Sequence, residues 1–485
     1  MKAKDEFLKS HEGIKKGLKQ KVEKLRADIA SFSGRNAGQG FDWAVEFAEV
    51  FLDGGFDIAI ANPPYVRMEL FKSIKPTLRS NYPLVHAERS DLYCYFYARG
   101  IELLRQQGMF VFISPNKWFR AAYGGKLREY VSKQCRIDSI VDFADLPVFH
   151  PATTYPMIFI ASKGPIPNRP TMTLVTSLDS PYPDVHELVR QFGKSLPTTA
   201  LEGAEWTLAD QATSERLRKM EESGLPLERY VGGKIFRGLI TGLNDAFIID
   251  DATRRKILSQ DRSCAKYIRP FAVGKDIRRW TLASSQRWII YVTPSNSKKI
   301  PDTLLRHLLG FKKQLESRAN AQEWYELQQP QEKYISTFEA PKIIYQEIAT
   351  YQSFAYDPTG IYVNGKVFML PCDDLYLLAI LNSAPAWEYL SQICSKMVGG
   401  ALAMQAVYLS KLPIPNATVK ERGKLSKLAQ KCLECGDESR CEQWQSEIDQ
   451  LAYGLYGIDS SSTMQVANRH RPHSKRSNAE NEGEE

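Results

Sequence analysis

The sequence has no run of about 18 apolar residues, so no segment reads as a helix that spans a bilayer. It also lacks the apolar stretch of a signal peptide, because its start, MKAKDEFLKSHEGIKK, is charged throughout. Cysteine is sparse. The 8 cysteines (Cys94, Cys135, Cys264, Cys372, Cys394, Cys432, Cys435 and Cys441) are mostly scattered, the pattern expected of reduced thiols in a cytoplasmic protein. Neither sign of charge dominates: 64 Lys and Arg stand against 56 Asp and Glu, a formal net charge of +8. That mild excess is compatible with a polyanionic partner without requiring one. Internal repeats are missing too. What is present is 43% hydrophobic residues over 485 positions. This excludes a wholly disordered, collagen-like or coiled-coil protein and suggests two or three domains.

Residues 1–30 read as an amphipathic helix, with Phe7, Leu8, Ile14, Leu18, Val22 and Leu25 at helical spacing among lysines. A polar stretch to residue 40 separates it from FDWAVEFAEVF. Then FDIAIA (56–61), bounded by Gly54-Gly55 and two prolines, reads as a short buried strand. A helix over 92–104, a strand over 109–114, a helix over 126–133 and strands over 139–143 and 156–162 follow. This alternation predicts an α/β fold with a mostly parallel sheet covered on both faces. Residues 164–197 are rich in Pro, Ser and Thr, and 166–229 read as a connector. From 230 to 458 short strands and turns give an α+β domain, with helices over 303–319, 373–381 and 420–456. Residues 459–485 are polar and read as a disordered tail.

The informative residues are Asn62, Pro63, Pro64 and Tyr65, immediately after FDIAIA. The plain alternative is a proline turn that ends a strand. Yet a polar-Pro-Pro-aromatic tetrad arises by chance in only ~1% of chains this long. Ligand sites in open α/β sheets, moreover, lie where this one does, beyond the carboxyl end of a strand. Two prolines fix the backbone and remove N–H donors. The Asn62 side-chain oxygen and the Pro63 carbonyl can then both accept from one amino group, which localises its lone pair and makes it more nucleophilic. Tyr65 offers a flat face for a base rotated out of a duplex. Such chemistry is positioning and electrostatics, with no metal and no covalent nucleophile.

GFDIAIANPPYVR resembles motif IV of the methyltransferases that modify adenine in DNA at N6, and FDWAVEFAEVF is similar to the block before it in large type IIG-like restriction–modification methylases. Residues 90–131 resemble the region leading to motif VIII, and 142–163 resemble motif VIII itself. The resemblance implies that an aromatic there stacks on the other face of the flipped base, with Phe149 the first candidate and Phe143 the second. Residues 238–249, 268–280, 342–347 and 362–371 resemble the TaqI-like target-recognition domain, and 447–458 resemble the last helix of these proteins. Arg237, Lys275, Arg278 and Arg279 could reach phosphates or base edges, and Arg120, Lys126 and Arg128 could line a DNA cleft; each could equally be a solvated surface charge.

The implied architecture is a partial Rossmann-like methyltransferase sheet (41–165) followed by a target-recognition domain (230–458). Its implied partner is double-stranded DNA and its implied cofactor S-adenosylmethionine. One part of the family pattern is missing: nothing before Asn62 resembles the acidic, glycine-rich cofactor loop. The glycine pairs Gly232-Gly233 and Gly399-Gly400 read as turns. The main cofactor pocket is therefore expected outside this chain, in a second chain, unless the chain is an inactive remnant or its start is misplaced. The other readings are a DNA-binding specificity subunit that transfers nothing and, less favoured, methylation of RNA or protein glutamine. No nuclease carboxylate cluster is evident. Cys432, Cys435 and Cys441 hint at zinc spacing, with His470 and His473 in the tail as distant company.

Overall fold

A computed structural model of the chain describes residues 41–459 apart from 145, 147, 150–154, 165, 167, 176, 179–183, 205, 207, 210, 284–285, 319–321, 398–399 and 436–437; before 41 it describes only 20 and 24. The expected N-terminal helix and polar tail thus lie, but for single residues, outside the described residues. Among those described, no helix is long and apolar enough to cross a membrane. The chain divides into two compact units, 1–211 and 212–485.

The first unit is built on a six-stranded sheet. Its strands are β1 (Phe56–Ala61), β2 (Leu104–Pro115), β3 (Cys135–Asp142), β4 (Pro156–Lys163), β5 (Thr171–Leu174) and β6 (Lys194–Ser195), in the order β1-β2-β4-β3-β5-β6. Helices α1 (Tyr93–Leu103) and α2 (Gly125–Gln134) connect them. Gly55 begins the turn into β1 at φ 125°, where a Cβ would meet the Leu103 carbonyl oxygen at 2.5 Å, so only glycine fits. Pro63 and Pro64, which have no N–H to donate, end the strand.

Two expectations need correction. The sheet is mixed rather than mostly parallel: β1–β2 and β3–β5 are parallel, while β2–β4, β3–β4 and β5–β6 are antiparallel. A parallel neighbour requires a long crossover, usually a helix, and no helix is described between β3 and β4. So β4 turns back and inserts between β2 and β3. The stretch read as a connector also contributes β5 and β6, because Pro, Ser and Thr mark the turns between short strands as readily as they mark linkers.

Coverage of the sheet is uneven. One face carries Ala59, Ala61, Phe110, Phe112, Phe159 and Ile140, packed against Tyr93, Tyr97, Ala98 and Ile101 of α1 and Leu127 and Val131 of α2. On the opposite face, the helix Val185–Phe192 covers only the β3–β5 end, through Val141, Ile158 and Val175. At the β1–β2 end of that face, Ile58, Ile60 and Met109 are 59%, 77% and 45% exposed. Covering on both faces thus holds for one end of the sheet and fails at the other, among the described residues.

The second unit contains two four-stranded sheets around a shared core. One orders Tyr362–Val363, Ile268–Ala272, Arg287–Ile290 and Ile248–Asp250; the other orders Phe354–Asp357, Lys342–Gln346, Val367–Leu370 and Phe236–Arg237. The expected helix over 303–319 is two short helices, Asp302–Leu309 and Lys312–Glu316, parted at Gly310. Asp374 caps the helix Leu375–Leu381 by accepting from the Tyr376 and Leu377 amides. The final helical stretch is two helices, Val419–Cys435 and Glu438–Leu455, with Cys432 and Cys441 buried. His470 and His473 lie outside the described residues.

Candidate functional site

Because β1 and β2 are parallel, their carboxyl ends lie on one edge of the sheet, where the end of β3 and the start of the reversed β4 also fall. The tetrad sits there. Asn62 is exposed, and no hydrogen bond engages its side chain among the described residues; Pro63 is buried and Pro64 exposed. The half-buried Tyr65 lays its phenol against the end of β2 and donates to the Ile113 carbonyl at 3.2 Å. Burial pushes that phenol up to about 12, so it stays a neutral donor.

The ring it faces is Phe149. The two centroids are 6.2 Å apart and the planes meet at 68°. A base sandwiched between parallel rings needs about 7 Å between them, twice a contact distance of about 3.5 Å. A modest opening and rotation of Phe149 would therefore admit one. Phe143 is elsewhere, buried with Val141 and Val175.

The chain beyond the tetrad is stapled to α1. The Leu92 amide donates to the Val66 carbonyl at 3.0 Å, and the Met68 amide to Asp91 Oδ1 at 3.3 Å. Burial raises the Asp91 carboxyl, opposed by that Met68 bond and by nearby Lys117 and Arg67. Both cations are exposed beside the site. His86, which is bonded to the Tyr95 hydroxyl at 2.8 Å, is held below the usual histidine range by desolvation and then by Arg79, Lys126 and Lys75. Glu88 stands against this group, paired with Arg79 and 3.8 Å from His86 Nε2, and Lys126 is exposed in the first turn of α2.

The other basic candidates differ in what occupies them. Arg128 is buried and gives its guanidinium to the carbonyls of Trp118, Ala121 and Ala204, so it braces the fold rather than facing a cleft. Arg120 is half-buried after the turn Asn116–Phe119. In the second unit, Lys275 and Arg278 are exposed on a small hairpin closed by the Arg278–Thr281 and Ala283–Asp276 backbone bonds. Arg279 turns to Gln352, and Arg237 to the Gly365 carbonyl and Glu347. Sequence reasoning missed Arg67, Asp91, Asn116, Lys117 and Asp142. Each lies at or just beyond a strand end or helix start on this edge, which is the signal that could have found them.

Gly232, Gly233 and Gly400 have positive φ, but an added Cβ would meet nothing within 4 Å at any of them, so they are open turns and not close approaches to a ligand. Gly399 lies outside the described residues. These glycines therefore form no cradle for S-adenosylmethionine.

Residues 5–149, a span that holds the tetrad and ends on Phe149, match the Eco57I restriction-modification methylase family. Residues 269–414 match the TaqI-like C-terminal specificity domain. The chain is similar to type II restriction–modification methyltransferases. It is 27% identical over 422 residues to the type II methyltransferase M.PaeR7I of Pseudomonas aeruginosa, covering 81% of this chain and 70% of that one. To M.XhoI of Xanthomonas vasicola it is 26% identical over 470 residues, covering 92% and 83%. Its fold is similar to that of the type IIL restriction-modification enzyme MmeI, solved with DNA, at a TM-score of 0.61 and 13% identity. That match covers 90% of this chain but 61% of MmeI, so the chain spans less than two thirds of that enzyme's length.

Proposed function

We propose that this methylase segment acts on adenine N6 in double-stranded DNA, at a site read by the TaqI-like segment, with S-adenosylmethionine as methyl donor. One observation carries the reading: the unengaged Asn62 side chain stands at the carboxyl end of β1, beside a Tyr65 ring that faces Phe149. A flipped adenine lying between the two rings would present its amine to the Asn62 oxygen and the Pro63 carbonyl. Both accept, so the amine's two N–H bonds are held and its lone pair is aimed outward. The bound cofactor would supply an electrophilic methyl group; this chain's part is to hold the base and keep water out. Arg67, Lys117 and Lys126 are placed to take phosphates, with Arg120 beside them, and in the second unit the exposed Lys275 is offered to DNA beside Arg278, whose guanidinium also donates to the Lys275 and Ile277 carbonyls.

The cofactor-binding half is proposed to come from a second polypeptide, which would also cover Ile58, Ile60 and Met109. Burying the two isoleucines would contribute roughly 2–4 kcal/mol to that association. The test is transfer of labelled methyl groups to duplex DNA by the chain with such a partner, followed by digestion to nucleosides. N6-methyladenine is expected, and Asn62→Ala lowers the rate about 10²–10³-fold while DNA binding survives. Label in cytosine would overturn the adenine assignment. Salt-sensitive DNA binding without any transfer would favour a specificity subunit or an inactive remnant.

A further inference from the structure

Both rings of the proposed base pocket are moored to the carboxyl end of β2. Tyr65 is moored directly, through its bond to the Ile113 carbonyl. Phe149 is moored through two side chains that the proposed chemistry does not use. Asn116, the first residue after β2, donates its side-chain amide to Asp142 Oδ1 at 2.9 Å, and its backbone N–H to the Tyr155 carbonyl at 2.8 Å. The same Asp142 oxygen accepts the Ala144 N–H at 2.9 Å. Ala144 has φ 50°, a left-handed conformation that a non-glycine residue holds only when its surroundings impose it. From that turn the chain runs through the Leu146–Phe143 and Val148–Leu146 backbone bonds to Phe149.

We infer that the Asn116–Asp142 hydrogen bond is a clamp that sets where Phe149 stands relative to Tyr65, which makes Asn116 a positioning residue of the base pocket. The inference rests on the base-pocket reading above. One carboxylate oxygen serves both the amide that reaches across from β2 and the amide that starts the Phe149 loop. Losing the first bond frees the corner that holds the second. The gap between the rings must open by about an ångström to admit a base. A loop pinned at its root can open that far and return, whereas an unpinned loop would wander.

The experiment is hydrogen–deuterium exchange of residues 143–149 in the full chain, comparing wild type, Asn116→Asp and the swap Asn116→Asp with Asp142→Asn. The single variant sets two carboxylates face to face, and exchange across 143–149 is expected to rise about tenfold. The swap exchanges donor and acceptor, and because Asp142 Oδ1 alone takes both partners in the wild type, the amide at 142 has to turn so that its nitrogen meets the new carboxylate at 116 while its oxygen accepts the Ala144 N–H. Exchange should return to within about twofold of wild type, a rescue that requires the bond itself and not either side chain alone. The second readout is quenching of 2-aminopurine fluorescence in a single-stranded oligonucleotide that carries it in place of adenine. Wild type and swap should quench, and the single variant should quench several-fold less. Wild-type exchange in Asn116→Asp, or exchange raised equally in the swap, overturns the clamp. Equal quenching by all three proteins overturns its link to the pocket. The expected exchange pattern with no quenching by wild type upholds the clamp and overturns the base-pocket reading instead.

Discussion

In the second unit the strand Lys342–Gln346 lies between two antiparallel neighbours, and Ile343, Ile344 and Tyr345 are buried. In the first unit β1 lies at the edge of its sheet, and Ile58 and Ile60 face solvent. Both stretches read from sequence as short strands rich in apolar side chains. The difference comes from what lies over and beside them. The second unit closes its core with chain from its own sequence, while the described part of the first unit leaves one end of one face bare. Stability should therefore be concentrated around Lys342–Gln346 and association around β1.

The largest expected effect tests the closed side of that comparison. Lys342 and Asp357 form a wholly buried ion pair, and burial pulls the lysine below its usual range while the Asp357 charge opposes the shift. Asp357 also accepts from the Thr359 and Ile361 amides, so few of its acceptor sites are left unmade. Asp357→Ala strands a buried ammonium and should cost about 3–5 kcal/mol in urea unfolding. A cost below about 1 kcal/mol would mean that water already reaches Lys342.

Next in size is a pH effect in the same unit. Asp449 accepts from the Ala384 amide at 2.8 Å and from Gln445 at 2.9 Å, and burial pushes its carboxyl from 3.8 up to about 6. A raised acid binds its proton more tightly folded than unfolded. Its contribution to stability is complete below the unfolded value of 3.8 and is lost as pH rises through about 6. A rise of that size corresponds to about 3 kcal/mol. Asp449→Asn should flatten stability between pH 4 and 7 relative to wild type; parallel profiles would refute the assignment.

The smallest effect tests the open side. Ile60→Ser should change the stability of the chain by less than about 0.5 kcal/mol, because the side chain already meets water. Sedimentation should show weaker association than for wild type. A cost of about 2 kcal/mol or more would mean that this face is covered in solution, and the contrast between the two units would fall.

The tetrad, the strand before it and the helix over 92–104 were legible because each rests on local chemistry. Prolines stop β1, Gly54 and Gly55 start it, and α1 follows from periodic apolar residues. Phe149 was legible only through resemblance, since its partner Tyr65 is 84 residues away in the chain. Arg128 was misjudged for a related reason. A charged residue in a polar segment reads as exposed until three carbonyls, two from 118–121 and one from Ala204, are seen to converge on it. Asn116 and Asp142 were invisible as a pair because their bond joins the ends of two strands separated by a third.

By itself the sequence determined that strands and helices form where they do, that a rigid Asn-Pro-Pro-Tyr corner ends the first strand, and that a second domain follows. These are matters of backbone restriction and hydrophobic period, which act over a few residues. Only the tertiary structure decided that β4 reverses between β2 and β3, that Phe149 rather than Phe143 meets Tyr65, and that among the described residues one end of the sheet stays uncovered. Those outcomes depend on which distant surfaces exclude water from each other, and no local pattern records that.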